Sequence, residues 1–134
     1  MEKVMVITGG SRGIGAATAL LAAEQGYRIC INYLADEEAA QRVLDQVRAL
    51  GAQAIAVRAD VSIEDEVVAL FHRVDTELGR VTALVNNAGT GAAGAAEESS
   101  VVQDQRVFDI NFFGMVRVTK AVLPHMRAAG TGRI

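Results

Sequence analysis

The chain has 134 residues, the size of one domain, and 51% of them are hydrophobic against only 4% aromatic, so its core is aliphatic. Charged residues make up 22% and the formal charge is −3, which argues against disorder and against a general nucleic-acid binder, whose surface needs clustered excess cations. The single cysteine, Cys30, excludes an intrachain disulfide and a thiolate metal cluster, and no metal site is expected. The opening apolar run is too short for a signal peptide, no run reaches membrane-spanning length, and a cytoplasmic protein that engages no membrane is the expectation.

The chain alternates two kinds of segment. Val4 to Thr8 is an apolar run that leads into glycines. Ile14 to Gln25 is rich in Ala and Leu and reads as a helix ending at Gly26. Arg28 to Tyr33 reads as a strand. Asp36 to Leu50 is an amphipathic helix, with Asp36 as its N-cap and Ala39, Ala40, Val43, Leu44, Val47 and Leu50 at helical spacing. Ala54 to Arg58 is a third strand. Ser62 is expected to cap the next helix, with Asp65 as a weak capping-box partner and Gly79 as the stop. Thr82 to Asn86 is a fourth strand, and Gly89 to Ser100 a Gly- and Ala-rich mobile loop. One long helix is expected from about Val101 to Arg127, broken by Gly130-Thr131-Gly132, and Arg133-Ile134 could begin a fifth strand. Apolar strands separated by helices predict a parallel sheet covered on both faces, an α/β fold with right-handed crossovers.

The first strand runs into Thr8-Gly9-Gly10-Ser11-Arg12-Gly13-Ile14-Gly15. Gly9 and Gly13 let the backbone turn and approach a ligand, and Gly15 lets the new helix pack closely. The amides and positive end of that helix suit a pyrophosphate. The spacing is T-G-x-x-x-G-x-G rather than G-x-G-x-x-G. No Lys follows the glycines, which excludes a P-loop.

With Asp60-Val61 after strand three, Asn86-Asn87-Ala88-Gly89 after strand four and Asn111 in the long helix, the sequence resembles the short-chain dehydrogenase/reductase family along its whole length. Its run is similar to bacterial members that include 3-oxoacyl-carrier-protein reductases and glucose dehydrogenases. The resemblance implies a Rossmann-type, doubly wound, three-layer α/β/α domain over residues 1–134. It implies cofactor contacts from Gly9, Ser11, Arg12, Gly13, Ile14 and Gly15, from Asp60 and Val61 at the adenine, and from Asn87, Ala88 and Gly89 along the nicotinamide ribose. In the family the Asn111 position is catalytic, its backbone holding a water of the proton relay.

An NAD enzyme usually places an acid at the end of strand two to take the ribose 2′-OH. Here that end is Asn32-Tyr33, and Arg12 supplies a guanidinium suited to a 2′-phosphate. NADP(H) is therefore favoured over NAD(H), with Asn32 and Tyr33 as the adenosine-side contacts. The acids Asp36 to Glu38 nearby weigh against that preference.

The family's chemistry uses a Tyr-x-x-x-Lys pair and an upstream Ser. The only tyrosines are Tyr27 and Tyr33, the only lysines Lys3 and Lys120, and none fit that spacing. The chain is thus expected to be the cofactor-binding front half of a longer reductase acting on a small carbonyl or secondary alcohol, and to be inactive alone. The rival reading is a non-catalytic nucleotide-binding module. From Asn111 to Arg127 a broad apolar band, with Phe113 stray on the polar side, points to a homo-oligomer built through this helix, and Pro124 is expected to kink it. His72 and His125 are read as surface or interface residues and Cys30 as a buried strand residue.

Overall fold

The four apolar runs form four parallel strands in a computed structural model that describes residues 2–134. The order along the chain is β1 (Val4–Ile7), α1 (Gly13–Glu24), β2 (Arg28–Tyr33), α2 (Glu37–Ala49), β3 (Ala54–Arg58), α3 (Glu64–Glu77), β4 (Ala83–Val85), α4 (Val101–Phe108) and α5 (Met115–Ala129). The sheet order is β3-β2-β1-β4, with Val6 opposite Cys30 on one side and Leu84 on the other. Arg133 makes an isolated parallel bridge to Ala83 on the outer side of β4, at the place where a fifth strand was expected.

Side-chain alternation along the strands divides the core into two layers. Ile7, Ile29 and Ile31 face α1 and α2, where they meet Ala19, Ala23, Val43 and Val47. Val4, Val6, Cys30 and Val57 face α3 and α5, where they meet Leu70, Val74, Val118 and Val122. This is the three-layer, doubly wound arrangement. Each fully buried Ile or Val contributes about 1.5–3 kcal/mol over its exposed state, and both layers are needed because both sheet faces are apolar.

Two local expectations come out differently. Asp36 caps α2 as expected, its Oδ1 accepting the Ala39 amide at 3.0 Å. Ser62 does not cap α3: its hydroxyl and its amide both donate to Asp60 Oδ1, at 2.6 and 2.9 Å. The turn on Asp60 aims the Ser62 hydroxyl back along the loop, and α3 begins one residue later, at Glu64 behind Ile63, with no side-chain cap.

The long helix is also not uniform. Asp109–Gly114 forms a π-helical turn between α4 and α5, and Asn111 lies within it. α5 continues through Pro124 to Ala129 and ends at Gly130, whose φ is 69°. Only Val118, Val122 and Met126 of the expected apolar band are buried, while Phe112, Phe113 and Met115 remain exposed. The Gly- and Ala-rich loop before α4 is almost wholly exposed and carries one 3-10 turn, Ala96–Glu98.

Candidate functional site

All four strands point their carboxyl ends at one crevice of about 1040 Å³. In a parallel sheet wound in both directions, this is where the loops diverge and leave room for a ligand. The crevice is lined by Gly9, Ser11 and Arg12 from the glycine loop, Asn32 and Tyr33 from β2, Asp60 and Val61 after β3, and Asn87, Ala88 and Gly89 after β4. Gly13, Ile14 and Gly15 form the first turn of α1 beside it. Ten of the residues singled out in the sequence thus converge on one cavity wall.

The glycine loop is held by two asparagines. The Gly9 amide donates to Asn32 Oδ1 at 3.3 Å, and the Asn32 carboxamide nitrogen donates to the Val57 and Ala59 carbonyls at 3.3 and 3.1 Å. Asn32 is buried, so its side chain ties β1, β2 and β3 together and serves the crevice by fixing Gly9. From the other side, Asn87 Nδ2 donates to the Thr8 and Gly9 carbonyls at 3.1 and 3.0 Å. The Thr8 hydroxyl accepts the amides of Asn87 and Ala88 at 3.0 and 2.9 Å. Thr8 is the site residue missing from the sequence-based set, although it heads the glycine motif. Asn86 donates to Thr119 Oγ1 at 3.0 Å, fixing the same loop to α5.

The glycines have distinct reasons. A Cβ on Gly9 would stand 2.9 Å from Ala88 Cα, and one on Gly15 would stand 2.6 Å from Asn87 Nδ2 and from the Gly9 carbonyl. Both are required by close packing of the two loops. Gly13 meets nothing within 4 Å, and its φ of 56° requires glycine for conformation while leaving the space before it open.

The electrostatics suit an anion at one end. Arg12 precedes α1 with extended backbone, its side chain makes no ion pair among the described residues, and α1 has neither a side-chain cap nor an acid in its first turn. The first-turn amides are therefore available to phosphate oxygens. Asp36, the acid nearest the end of β2, is engaged in capping α2. At Asp60, burial raises the carboxyl pKa, but the hydroxyl and amide of Ser62, helped by Arg106 and Arg58, outweigh it and hold the group below its ordinary value. Asp60 is thus an anionic acceptor at neutral pH.

The Asn111 carboxamide, although exposed, is fully engaged with the loop backbone. Its Oδ1 accepts the Thr90 amide at 2.8 Å and its Nδ2 donates to the Thr90 carbonyl at 2.7 Å. The side chain pairs with the loop backbone after Gly89, so any role in a proton relay falls to the Asn111 main chain. A π turn is a common way to present such backbone groups at a site.

No helix among the described residues is long and apolar enough to cross a membrane, and none of the His, Cys, Asp and Glu side chains among them form a cluster of metal-ligand type.

Residues 3–134 match the short chain dehydrogenase family. The sequence is 37% identical over 129 residues to an uncharacterized oxidoreductase of Methylorubrum extorquens, covering 96% of this chain and 52% of that one. It is 34% identical over 134 residues to a 3-oxoacyl-[acyl-carrier-protein] reductase of Staphylococcus epidermidis, covering 100% and 55%. It is 42% identical to a cis-4-hydroxycyclohexanecarboxylate dehydrogenase of Sinomonas cyclohexanicum, covering 99% and 53%. Among solved structures, a short-chain dehydrogenase/reductase from Burkholderia xenovorans superposes with a TM-score of 0.89 at 33% identity, over 96% of this chain and 54% of the other. The chain spans about half the length of the curated relatives it matches. With the glycine loop and the Asn87 clamp on one crevice wall and Ile110 of the π turn reaching its edge, this chain belongs to the short-chain dehydrogenase family.

Proposed function

We propose that the protein is an oxidoreductase whose crevice holds NADP(H) and whose reaction interconverts a carbonyl and a secondary alcohol on a small molecule. One observation carries the cofactor choice. β2 itself ends without a carboxylate, on Asn32, which is turned inward, and Tyr33; Asp36, farther along the crevice wall, has its Oδ1 engaged in capping α2, while Arg12 on the same wall makes no ion pair among the described residues. A guanidinium there favours a 2′-phosphate through charge-assisted bonds. The crevice volume, the open space before Gly13 and the uncapped first turn of α1 fit a dinucleotide. Two relatives named for 3-oxoacyl reduction and hydroxycyclohexanecarboxylate dehydrogenation support the carbonyl–alcohol class.

When bound, the nicotinamide supplies or accepts the hydride. The residues of this chain would do the holding: first-turn amides and Arg12 would take the phosphates, Asp60 and Val61 would contact the adenine, and Asn87 to Gly89 would contact the ribose. Tyr27 and Tyr33 have Ile31 and Glu37 four residues on, so this chain is assigned the cofactor cradle and not the proton donor. The Asn111 main chain is assigned to the proton relay. The protein is further proposed to be cytoplasmic and to form a homo-oligomer through its long helix.

The test is calorimetric titration of the protein at its natural length, its mass verified, with NADPH and NADH. A charge-assisted contact of roughly 1.5–3 kcal/mol predicts tighter NADPH binding by about tenfold or more. Equal affinities, or tighter NADH, would overturn the cofactor assignment.

A further inference from the structure

Arg117 lies on α5, outside the crevice wall, yet it touches both of the segments that form the wall's far end. Its Nη1 donates to the Val61 carbonyl at 2.7 Å. Its Nε lies 3.2 Å from Glu64 at the start of α3, and its Nη2 lies 3.6 Å from Asp109, the first residue of the π turn. The side chain is 20% exposed, so water screens it little on the Val61 side. Gly114 makes the same junction by packing: a Cβ there would stand 2.7 Å from Val61 Cγ2. Val61 follows Asp60 directly, and Asn111, two residues after Asp109 in the π turn, is paired with Thr90.

We propose that Arg117 is a positioning residue that makes the Asp60–Val61 loop and the Asn111 turn one rigid body, so that a nucleotide seated at the adenine end is felt at Asn111. The proposal rests on the dinucleotide reading above. The chemistry is a planar fork with donors on three sides, bridging a carbonyl and two carboxylates that belong to separate elements. A π turn left alone gives up the regular i→i+4 ladder and needs outside contacts to persist. Here those contacts come from Gly114 on Val61 and from Arg117 on Asp109. Lysine, a point charge on a flexible stem, could keep one of the three contacts but not all of them.

The experiment is amide hydrogen exchange on the protein at its natural length, unsubstituted and as Arg117→Met and Arg117→Lys. Without ligand, Arg117→Met should speed exchange about tenfold both at residues 61–63 and at residues 109–114, with the β1 and β2 amides unchanged as the folding control. Arg117→Lys should fall between. Adenosine 2′,5′-bisphosphate then serves as a probe that carries the adenine and two phosphates but no nicotinamide. In the unsubstituted protein it should slow exchange at Ser62 and also at Thr90, whose amide binds Asn111. In Arg117→Met it should still slow Ser62 and no longer slow Thr90. Unchanged ligand-free exchange at either segment overturns the brace. Slowing at Thr90 that survives Arg117→Met overturns the relay. Failure of the probe to bind the unsubstituted protein would end the dinucleotide reading and the relay with it, while the brace is still decided by the ligand-free comparison.

Discussion

Thr8 and Asn87 hold each other's backbone: the Thr8 hydroxyl accepts the Asn87 amide at 3.0 Å, and the Asn87 carboxamide donates to the Thr8 carbonyl at 3.1 Å. The glycine loop after β1 and the Asn-Asn-Ala-Gly loop after β4 are therefore one unit, although 79 residues separate them. Thr8→Val keeps the shape and removes the acceptor for two part-buried amides. It should cost about 2 kcal/mol in urea unfolding and weaken dinucleotide binding, with Thr8→Ser close to the unsubstituted protein. Unaltered stability in Thr8→Val would show that the clamp contributes nothing.

The sheet, the helices and the part of the crevice wall at the strand ends were legible because they depend on local pattern; the facing side, formed by Thr90 to Ala96 and by α4 residues such as Arg106 and Val107, was not. Apolar runs of strand length, the Asp36 cap and the stop at Gly51, where φ is 87°, are set within a few residues. What was not legible depends on partners distant in the chain. The hydroxyl of Ser62 has two local uses, capping α3 or closing a turn on Asp60; the Ser62–Asp65 spacing pointed to the cap, and the structure shows the turn. The carboxamide of Asn32 faces inward because Gly9, Val57 and Ala59 offer it partners there. The π turn has no periodicity of its own to read: it exists where Gly114 meets Val61 and Arg117 reaches Asp109. The long helix looked more deeply buried than it is, because hydrophobicity marks a face without saying whether this chain or another copy covers it.

Arg12 is the residue on which cofactor choice should turn. Arg12→Ala removes the one guanidinium at the glycine loop and should lower the NADPH preference by about tenfold, while NADH, which lacks the 2′-phosphate, binds as before. Parallel titrations read this directly. Retained NADPH preference in Arg12→Ala would move the assignment to another group.

Gly13 and Gly51 separate backbone strain from ligand space. Both have positive φ, 56° and 87°, and neither has an atom within 4 Å of an added Cβ. Valine at either position should cost about 1–2 kcal/mol or more of stability, because a β-branched residue is strained there. Only Gly13→Val places its side chain where a pyrophosphate must approach α1, so only it should abolish nucleotide binding. Loss of binding in Gly51→Val, or retention in Gly13→Val, would contradict the placement of the phosphates.

Cys30 should behave as a core residue rather than a reactive thiol. Burial pushes its pKa up to about 12, with Arg73 and Glu77 making smaller opposing contributions. Because the folded value lies above the ordinary value of 9.0, its contribution to stability is complete below pH 9 and is lost as pH rises toward 12, where the unfolded chain ionises first. Folded protein at pH 8 should resist a thiol reagent, and urea should release the reactivity. Rapid labelling without denaturant would place Cys30 outside the core.

The exposed side of α4 and the π turn should be where copies of this chain meet. Val102, Phe108 and Phe113 border a hollow of about 400 Å³, and Phe113 packs edge-on against Phe112 with ring centres 5.1 Å apart. Phe108 and Phe113 are 63% and 52% exposed, an unusual loss of apolar burial in a chain with only four phenylalanines. Covering one such ring is worth about 1.5–3 kcal/mol, and in a two-fold interface each substitution counts twice. Phe113→Asp removes that burial and adds a carboxylate that must be desolvated in the interface. It should therefore shift the assembly to a smaller species in light scattering, while the circular dichroism of the sheet and helices stays the same. The site lies outside the crevice wall, so NADPH should still bind the smaller species. An unsubstituted protein that is monomeric throughout its soluble range, or a Phe113→Asp variant of unchanged size, would show that this face is not the contact between copies.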